Sequence, residues 1–156
     1  RKVKALRFSD YSIRILIVLE VMVMKKIQIR CPYCGAKATL RPSSAVYGNA
    51  AKTDGYLYVC DRYPKCDAYV AAHRKSRLPM GTLANGDLRH KRIEAHKAFD
   101  WMWRSGLMSK RQAYRWMQAK LGLNEKQAHI AKFSEYMCDQ LISICTQAYD
   151  NIRSAA

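Results

Sequence analysis

The stretch Cys31-Pro32-Tyr33-Cys34-Gly35, answered downstream by Cys60-Asp61-Arg62-Tyr63-Pro64-Lys65-Cys66, decides how the rest of the chain is read. Two residues separate the cysteines of the first pair and five separate those of the second. A Cys-x-x-Cys turn closed by glycine points two thiolates at one ion while backbone N–H groups bond to the sulfurs. A second such knuckle completes a tetrahedral four-thiolate set. Cys31, Cys34, Cys60 and Cys66 are therefore the expected ligands of one Zn2+ ion. Four thiolates leave no open coordination position, which makes that zinc structural rather than catalytic. Iron–sulfur ligation is the competing use of the same residues. His73 follows Cys66 by seven residues, but a filled tetrahedron has no place for it, and it reads as part of the basic run around it.

Working outward, Ile27-Gln28-Ile29-Arg30 alternates apolar and polar residues and leads into the first knuckle, and Ala38-Thr39-Leu40-Arg41 leaves it. Tyr56-Leu57-Tyr58-Val59-Cys60 enters the second knuckle with its aromatics alternating, and Ala68 to Ala72 leaves it. Period-two alternation marks short strands. Pro42 to Thr53 reads as a loop, and Asp54-Gly55 as a turn. The expectation is a zinc ribbon of three or four antiparallel strands, too small to hold together without the folding energy its metal supplies.

Beyond His73-Arg74-Lys75-Ser76-Arg77 the period changes. Leu88, Ala95, Phe99 and Met102 recur on one helical face, with Arg89, Lys91, Arg92 and Lys97 read as largely off it. Asn85 or Asp87 is placed to cap this helix, and Ser105-Gly106 to end it. Trp101 and Trp103 read as core filling. Ser109-Lys110-Arg111-Gln112 has the form of a capping box and opens a helix to about Lys120, with Ala113, Trp116 and Met117 inward. Asn124-Glu125-Lys126-Gln127 repeats that form and predicts a shorter helix ending near Phe133. Met137, Leu141, Ile144, Cys145 and Ala148 define the last helix, on which Cys138 and Cys145 are buried hydrophobes. The fold class is α+β: a small antiparallel four-cysteine zinc ribbon followed by an all-helical unit of about four helices. The domains are expected at 1–24 (an N-terminal extension), 25–77 (the ribbon) and 78–156 (the helical unit). Translation is expected to start at Met22 or Met24, leaving residues 1–23 outside the native chain; the alternative is a strand or short helix packed on the domain. The apolar run Ile15 to Leu19 is far too short to span a bilayer, and no small-residue cleavage site marks a signal peptide.

Tyr56 to Cys66 resembles the second knuckle of the zinc ribbons at the C-terminal end of bacterial topoisomerase I, where an aromatic strand runs into a cysteine and Tyr-Pro-x-Cys closes the site. That resemblance implies contact of the ribbon with single-stranded DNA. Over about residues 27 to 150 the chain is similar to a family of zinc-finger-containing proteins common in phages and prophages. The residues that carry this are Cys31 to Ala36, Tyr63 to Val70, Pro79-Met80-Gly81-Thr82-Leu83-Ala84 and Ala95-His96-Lys97-Ala98-Phe99-Asp100. It implies fold and provenance rather than a biochemical activity.

The charge points the same way. The 156 residues carry 28 basic and 12 acidic side chains, a net charge of +16, or about +14 with four thiolates and one zinc. Such a surplus on a small chain suits a polyanion, although a basic surface also serves solubility. Arg62, Lys65, Arg74, Lys75 and Arg77 are the expected phosphate contacts on the ribbon, with Tyr58 and Tyr63 turned outward to stack on bases. Arg89, Lys91 and Arg92 are expected to extend this track along the helix. Single-stranded DNA is the favoured partner, with duplex DNA or RNA as further candidates, and the compartment reads as cytoplasmic with no membrane association. Leu107 to Phe133 also has the form of a helix-turn-helix about Leu121-Gly122-Leu123, an arrangement common in any bundle. The pairs His90/Glu94 and His96/Asp100 are read as surface ion pairs. With no nucleophile or paired-carboxylate pattern, the chain is expected not to be an enzyme. The alternative function is an interaction module that docks on a host protein or nucleoprotein complex and modulates it.

Overall fold

Alternating short segments around the two cysteine pairs build one antiparallel sheet in the order β1-β2-β3-β4. The computed structural model describes residues 27–50 and 55–155. The expected extension at 1–24 lies outside them. Strand β1 is Ile29–Arg30, β2 is Lys37–Pro42, β3 is Tyr56–Cys60 and β4 is Tyr69–Ala71. Between β2 and β3, where only a loop was expected, the chain makes one helical turn, α1 (Ser44–Tyr47), and a 3-10 turn at Gly48–Ala50.

Register determines which side chains share a face. Ala38 lies opposite Cys60, Leu40 opposite Tyr58, and Tyr58 opposite Val70. Directly opposed residues point to the same side of a sheet. Ala38, Tyr58, Cys60 and Val70 thus line one face, and that face is the ribbon core, joined by Cys31, Ala68, Ala72 and Leu83. The ribbon does not end at Arg77. After a tight hairpin in which His73 N–H donates to the Leu78 carbonyl, the chain runs back along β4: Met80 N–H bonds to the Ala71 carbonyl, and Tyr69 and Ala84 exchange both bonds. The packing of the ribbon therefore extends through Leu83 and Ala84, past the expected boundary.

The helical unit comprises α2 (Gly86–Arg104), α3 (Lys110–Leu121), a 3-10 turn at Ile130–Lys132 and α4 (Glu135–Ala155). Asn85 caps α2 by accepting from Leu88 N–H, and Ser109 with Gln112 forms the expected capping box on α3. The Asn124/Gln127 box also forms, each backbone amide donating to the other's side-chain oxygen. Here the expected shorter helix does not follow. His129 is extended, so the box closes one turn and the chain then makes only the 3-10 turn. Leu107 to Phe133 is accordingly not a helix-turn-helix, because its second helix is missing. The second core gathers Ala95, Phe99 and Met102 from α2, Ala113 and Met117 from α3, and Cys138, Leu141 and Cys145 from α4, with Ile130 and Phe133 closing it. Trp101 packs edge-on against Tyr149 at 4.9 Å between ring centres. Among the described residues no helix is long and apolar enough to cross a membrane.

Candidate metal centre and its surroundings

The first knuckle turns where Gly35 takes φ +71°, a conformation open to glycine without steric cost. Gly35 N–H donates to the Cys31 carbonyl at 2.9 Å, and Cys31 N–H to the Ala36 carbonyl at 2.8 Å. The second knuckle closes its wider gap with Tyr63 N–H donating to Cys60 and Cys66 N–H to Arg62. These two turns bring all four sulfurs within 4.8 Å of one another. The shortest approaches run between the knuckles: Cys31 to Cys66 at 3.6 Å and Cys34 to Cys60 at 3.4 Å. A zinc–sulfur bond of about 2.3 Å makes the edge of a tetrahedral four-thiolate site about 3.8 Å, so the cluster is near the size the ion requires.

The surroundings suit thiolates. The Ala36 amide is directed at the Cys34 sulfur and brings that thiol down to about 7. Burial pushes the Cys60 thiol up to about 12 against the opposing Arg62 amide. The Ala68 amide likewise favours the Cys66 thiolate, while burial and the neighbouring thiols hold that thiol above its ordinary value. Backbone N–H groups aimed at sulfur stabilise its charged form. Four cysteines, two of them buried, with amide donors and no carboxylate or histidine in the cluster, fit one structural zinc held by Cys31, Cys34, Cys60 and Cys66. The ion would supply the cross-link that a four-stranded sheet of this size lacks.

The cations expected to contact nucleic acid fall into two groups. Arg62, Lys65, Arg74 and Lys75 are exposed, and among the described residues none enters an ion pair. Arg77 is half-buried, with its guanidinium 3.7 Å from the Tyr56 ring centre. Those expected on α2 are committed elsewhere. Lys91 pairs with Asp139 at 2.8 Å. Arg89 pairs with Asp67 at 3.0 Å, stacks 3.8 Å from the Tyr69 ring centre and donates to the Asp67 and Ala84 carbonyls. Arg92 is buried; it donates to the Phe133 carbonyl through Nε and Nη2 and to the carbonyl and hydroxyl of Thr82. It is a clamp inside the protein, not part of a surface track.

Tyr58 must also be corrected. It is only 7% exposed, and its hydroxyl donates to the Arg77 carbonyl. Sharing the inner face with Cys60, it fills the ribbon core in place of stacking on bases. Tyr63 remains half-exposed. The sequence did not single out Tyr47, which is largely exposed and donates to the Tyr69 hydroxyl at 3.1 Å across an edge-to-face contact. Nor did it single out Asp67, whose carboxylate accepts from Gly86 N–H at 2.7 Å at the start of α2. Asp67 follows the ligand Cys66 directly and ties the second knuckle to the helical unit. The histidine pairs lie on the surface of α2 as expected, at 3.4 and 4.0 Å.

No curated protein and no solved structure matches the chain. A family described as a zinc-finger-containing domain matches residues 27–148. That span begins just before β1 and ends on α4, taking in the four-cysteine cluster and both cores, and the chain belongs to this family.

Proposed function

We propose that this zinc-ribbon protein is a non-enzymatic nucleic-acid-binding accessory factor of phage or prophage type, acting in the cytoplasm. The observation that carries the reading is a set of four exposed cations, Arg62, Lys65, Arg74 and Lys75, on the second knuckle and on the hairpin that leaves β4, which have no ion-pair partner among the described residues. Tyr63, half-exposed between Arg62 and Lys65, supplies an aromatic beside these charges. Tyr47, exposed beside a Tyr69 ring that Arg89 covers, adds a second aromatic. Cations on a rigid turn with adjacent rings suit a single strand, whose phosphates and bases they can hold together. Single-stranded DNA is the favoured ligand.

Fluorescence anisotropy on labelled single-stranded DNA, duplex DNA and RNA across a salt series tests this. Binding should weaken steeply with salt and fall when zinc is chelated or when Arg74 and Lys75 are both changed to alanine. Absence of binding at low salt would overturn the reading. A protein partner is the second reading. It is favoured by a cleft of about 330 Å³ between α3 and α4, lined by Leu107, Trp116, Ile144 and Ile152, of which Leu107 and Ile152 are substantially exposed. Pull-down against host extract with an Ile152→Asp control tests that alternative.

A further inference from the structure

Acidic residues are unevenly spread over the helical unit. From residue 78 onward they are Asp87, Glu94, Asp100, Glu125, Glu135, Asp139 and Asp150. Helices α2 and α4 hold six of these. Helix α3 holds none, yet carries Lys110, Arg111, Arg115 and Lys120. All four are exposed, and among the described residues none forms an ion pair. Lys91, Arg89 and Arg104 on α2 are each matched to a carboxylate. Three cations of α2 are thus matched to carboxylates, with Lys97 the exposed exception; among the described residues no cation of α3 is, although Lys110 lies 5.1 Å from the Trp103 ring centre.

Helical geometry gives that charge a direction. Ala113 and Met117 face the core. At 100° per residue the opposite side carries Arg111, Gln112, Arg115 and Ala119. Two arginines one turn apart repel each other, and Lys110 and Arg111 in the first turn oppose the helix dipole. Local stability therefore argues against this placement, and a site that breaks local rules without internal compensation is marked for a partner.

We infer that the outer face of α3 is a docking surface for duplex DNA, with Arg111 and Arg115 on the phosphates and edges of the major groove and Ala119 allowing close approach. The polyanion reading above supplies the class of ligand; the site is separate from the ribbon. Duplex is favoured over single strand because the aromatics of α3, Tyr114 and Trp116, are half-buried on its inner side, leaving no platform for stacking. B-form is favoured over RNA because only its major groove, about 12 Å wide, admits a helix.

The test compares four zinc-loaded proteins: the unchanged chain, Arg111→Ala/Arg115→Ala, Arg74→Ala/Lys75→Ala, and Lys97→Ala/Arg153→Ala as a charge-matched control. Each is titrated with duplex DNA, duplex RNA and single-stranded DNA from 0.1 M to 1 M salt. Losing two phosphate contacts should lower the slope of log K against log salt by about 2 and weaken duplex DNA binding at 0.1 M by roughly 50-fold relative to the high-salt limit. The melting temperature of the α3 variant should not fall, because removing like charges relieves repulsion. Unchanged duplex affinity, an equal loss in the charge-matched control, or duplex RNA bound as tightly as duplex DNA would each overturn the inference. Loss of duplex binding in the α3 variant, with single-strand binding untouched by Arg74→Ala/Lys75→Ala, would uphold it while sinking the ribbon reading.

Discussion

Gly81→Ala is the sharpest test of how the ribbon joins the helices. Gly81 lies in the run that returns along β4, where it crosses the 3-10 turn at Ile130–Lys132. A Cβ placed there would collide with the Ala131 carbonyl oxygen and lie 2.6 Å from its carbonyl carbon and 2.8 Å from its Cβ. Two of these atoms are backbone, so no rotamer change relieves the clash. Restoring ordinary contact requires the two segments to separate by about 1.5 Å. That displacement breaks the Thr82 N–H bond to the Ala131 carbonyl, now 3.1 Å, and stretches the Arg92 bonds to Thr82, now 2.9 and 2.7 Å. Overpacking costs about 1–3 kcal/mol, and one neutral hydrogen bond plus one weakened charged one add about 2 kcal/mol. The sum, about 3–5 kcal/mol, corresponds to a fall in melting temperature of roughly 10–20 °C. Gly48→Ala is the control: its Cβ would meet nothing within 4 Å, and its glycine-favouring backbone (φ 55°, ψ −137°) costs about 1–3 kcal/mol without any clash. Urea unfolding followed by circular dichroism, with zinc content measured alongside, reads both. Zinc stoichiometry should stay at one ion in each. A Gly81→Ala protein no less stable than Gly48→Ala would refute the close approach and, with it, the joint.

Arg92→Met should cost about 2–4 kcal/mol in urea unfolding, because it leaves the buried Phe133 carbonyl without this donor and removes the part-buried bonds to Thr82; a change within 1 kcal/mol would show that water replaces the guanidinium. Asp67→Asn, at a half-exposed pair, should cost about 1 kcal/mol and lower the melting temperature by a few degrees, without loss of zinc. Chelation, or Cys60→Ser, should abolish metal binding and sheet structure while the ellipticity of α2 and α4 largely persists; complete collapse of the helices would mean that their core depends on the ribbon. Burial pushes the Cys145 thiol up to about 12. The unfolded chain releases that proton near pH 8.5, so stability is fully present below this pH and falls above it by up to about 1.4 kcal/mol per unit. Cys145→Ala should flatten that alkaline slope in unfolding midpoints measured from pH 8 to 10.5.

The parts of this molecule legible in its sequence are those fixed locally. The knuckles, the strands beside them and the two capped helices all follow from spacing and period. Tyr58 was misplaced because alternation says which residues share a face, not which face is inner. Cys60, two residues on, carried the missing signal, since a buried metal ligand marks the inner side. Arg92 is expected largely off the apolar face together with Arg89, Lys91 and Lys97, and the structure puts it on that face. Leu88, Arg92, Ala95, Phe99 and Met102 follow one another at intervals of four, three, four and three residues, so the helical period placed this arginine inside among the apolar residues. The turn at Asn124–Gln127 shows the opposite failure. Its capping box is real, but after Gln127 the buried residues are Ala128, Ile130 and Phe133, a spacing that suits an irregular chain laid over the core. The Asp67–Arg89 and Arg92–Phe133 ties span 22 and 41 residues, and nothing local announces them.

Those long ties also bear on what the zinc does beyond the ribbon. The two cores share no residue among their buried members, so each can be filled by its own apolar side chains. Their polar connections are concentrated at two places. Asp67, the residue after ligand Cys66, holds both Gly86 N–H and Arg89 at the start of α2. Thr82, held by Arg92 and Ala131, lies in the run that completes the ribbon sheet. Both anchor points depend on the second knuckle and β4 keeping their shape, which in turn depends on the four sulfurs being held together. Metal occupancy therefore sets the attachment of the helical unit as well as the fold of the ribbon. Chelated protein should show faster amide exchange first at Gly86 and Leu88, in the opening turn of α2, while Phe99 and Met102 deep in the second core stay protected. Equal exchange along the whole of α2 would mean that the metal's influence stops at the sheet.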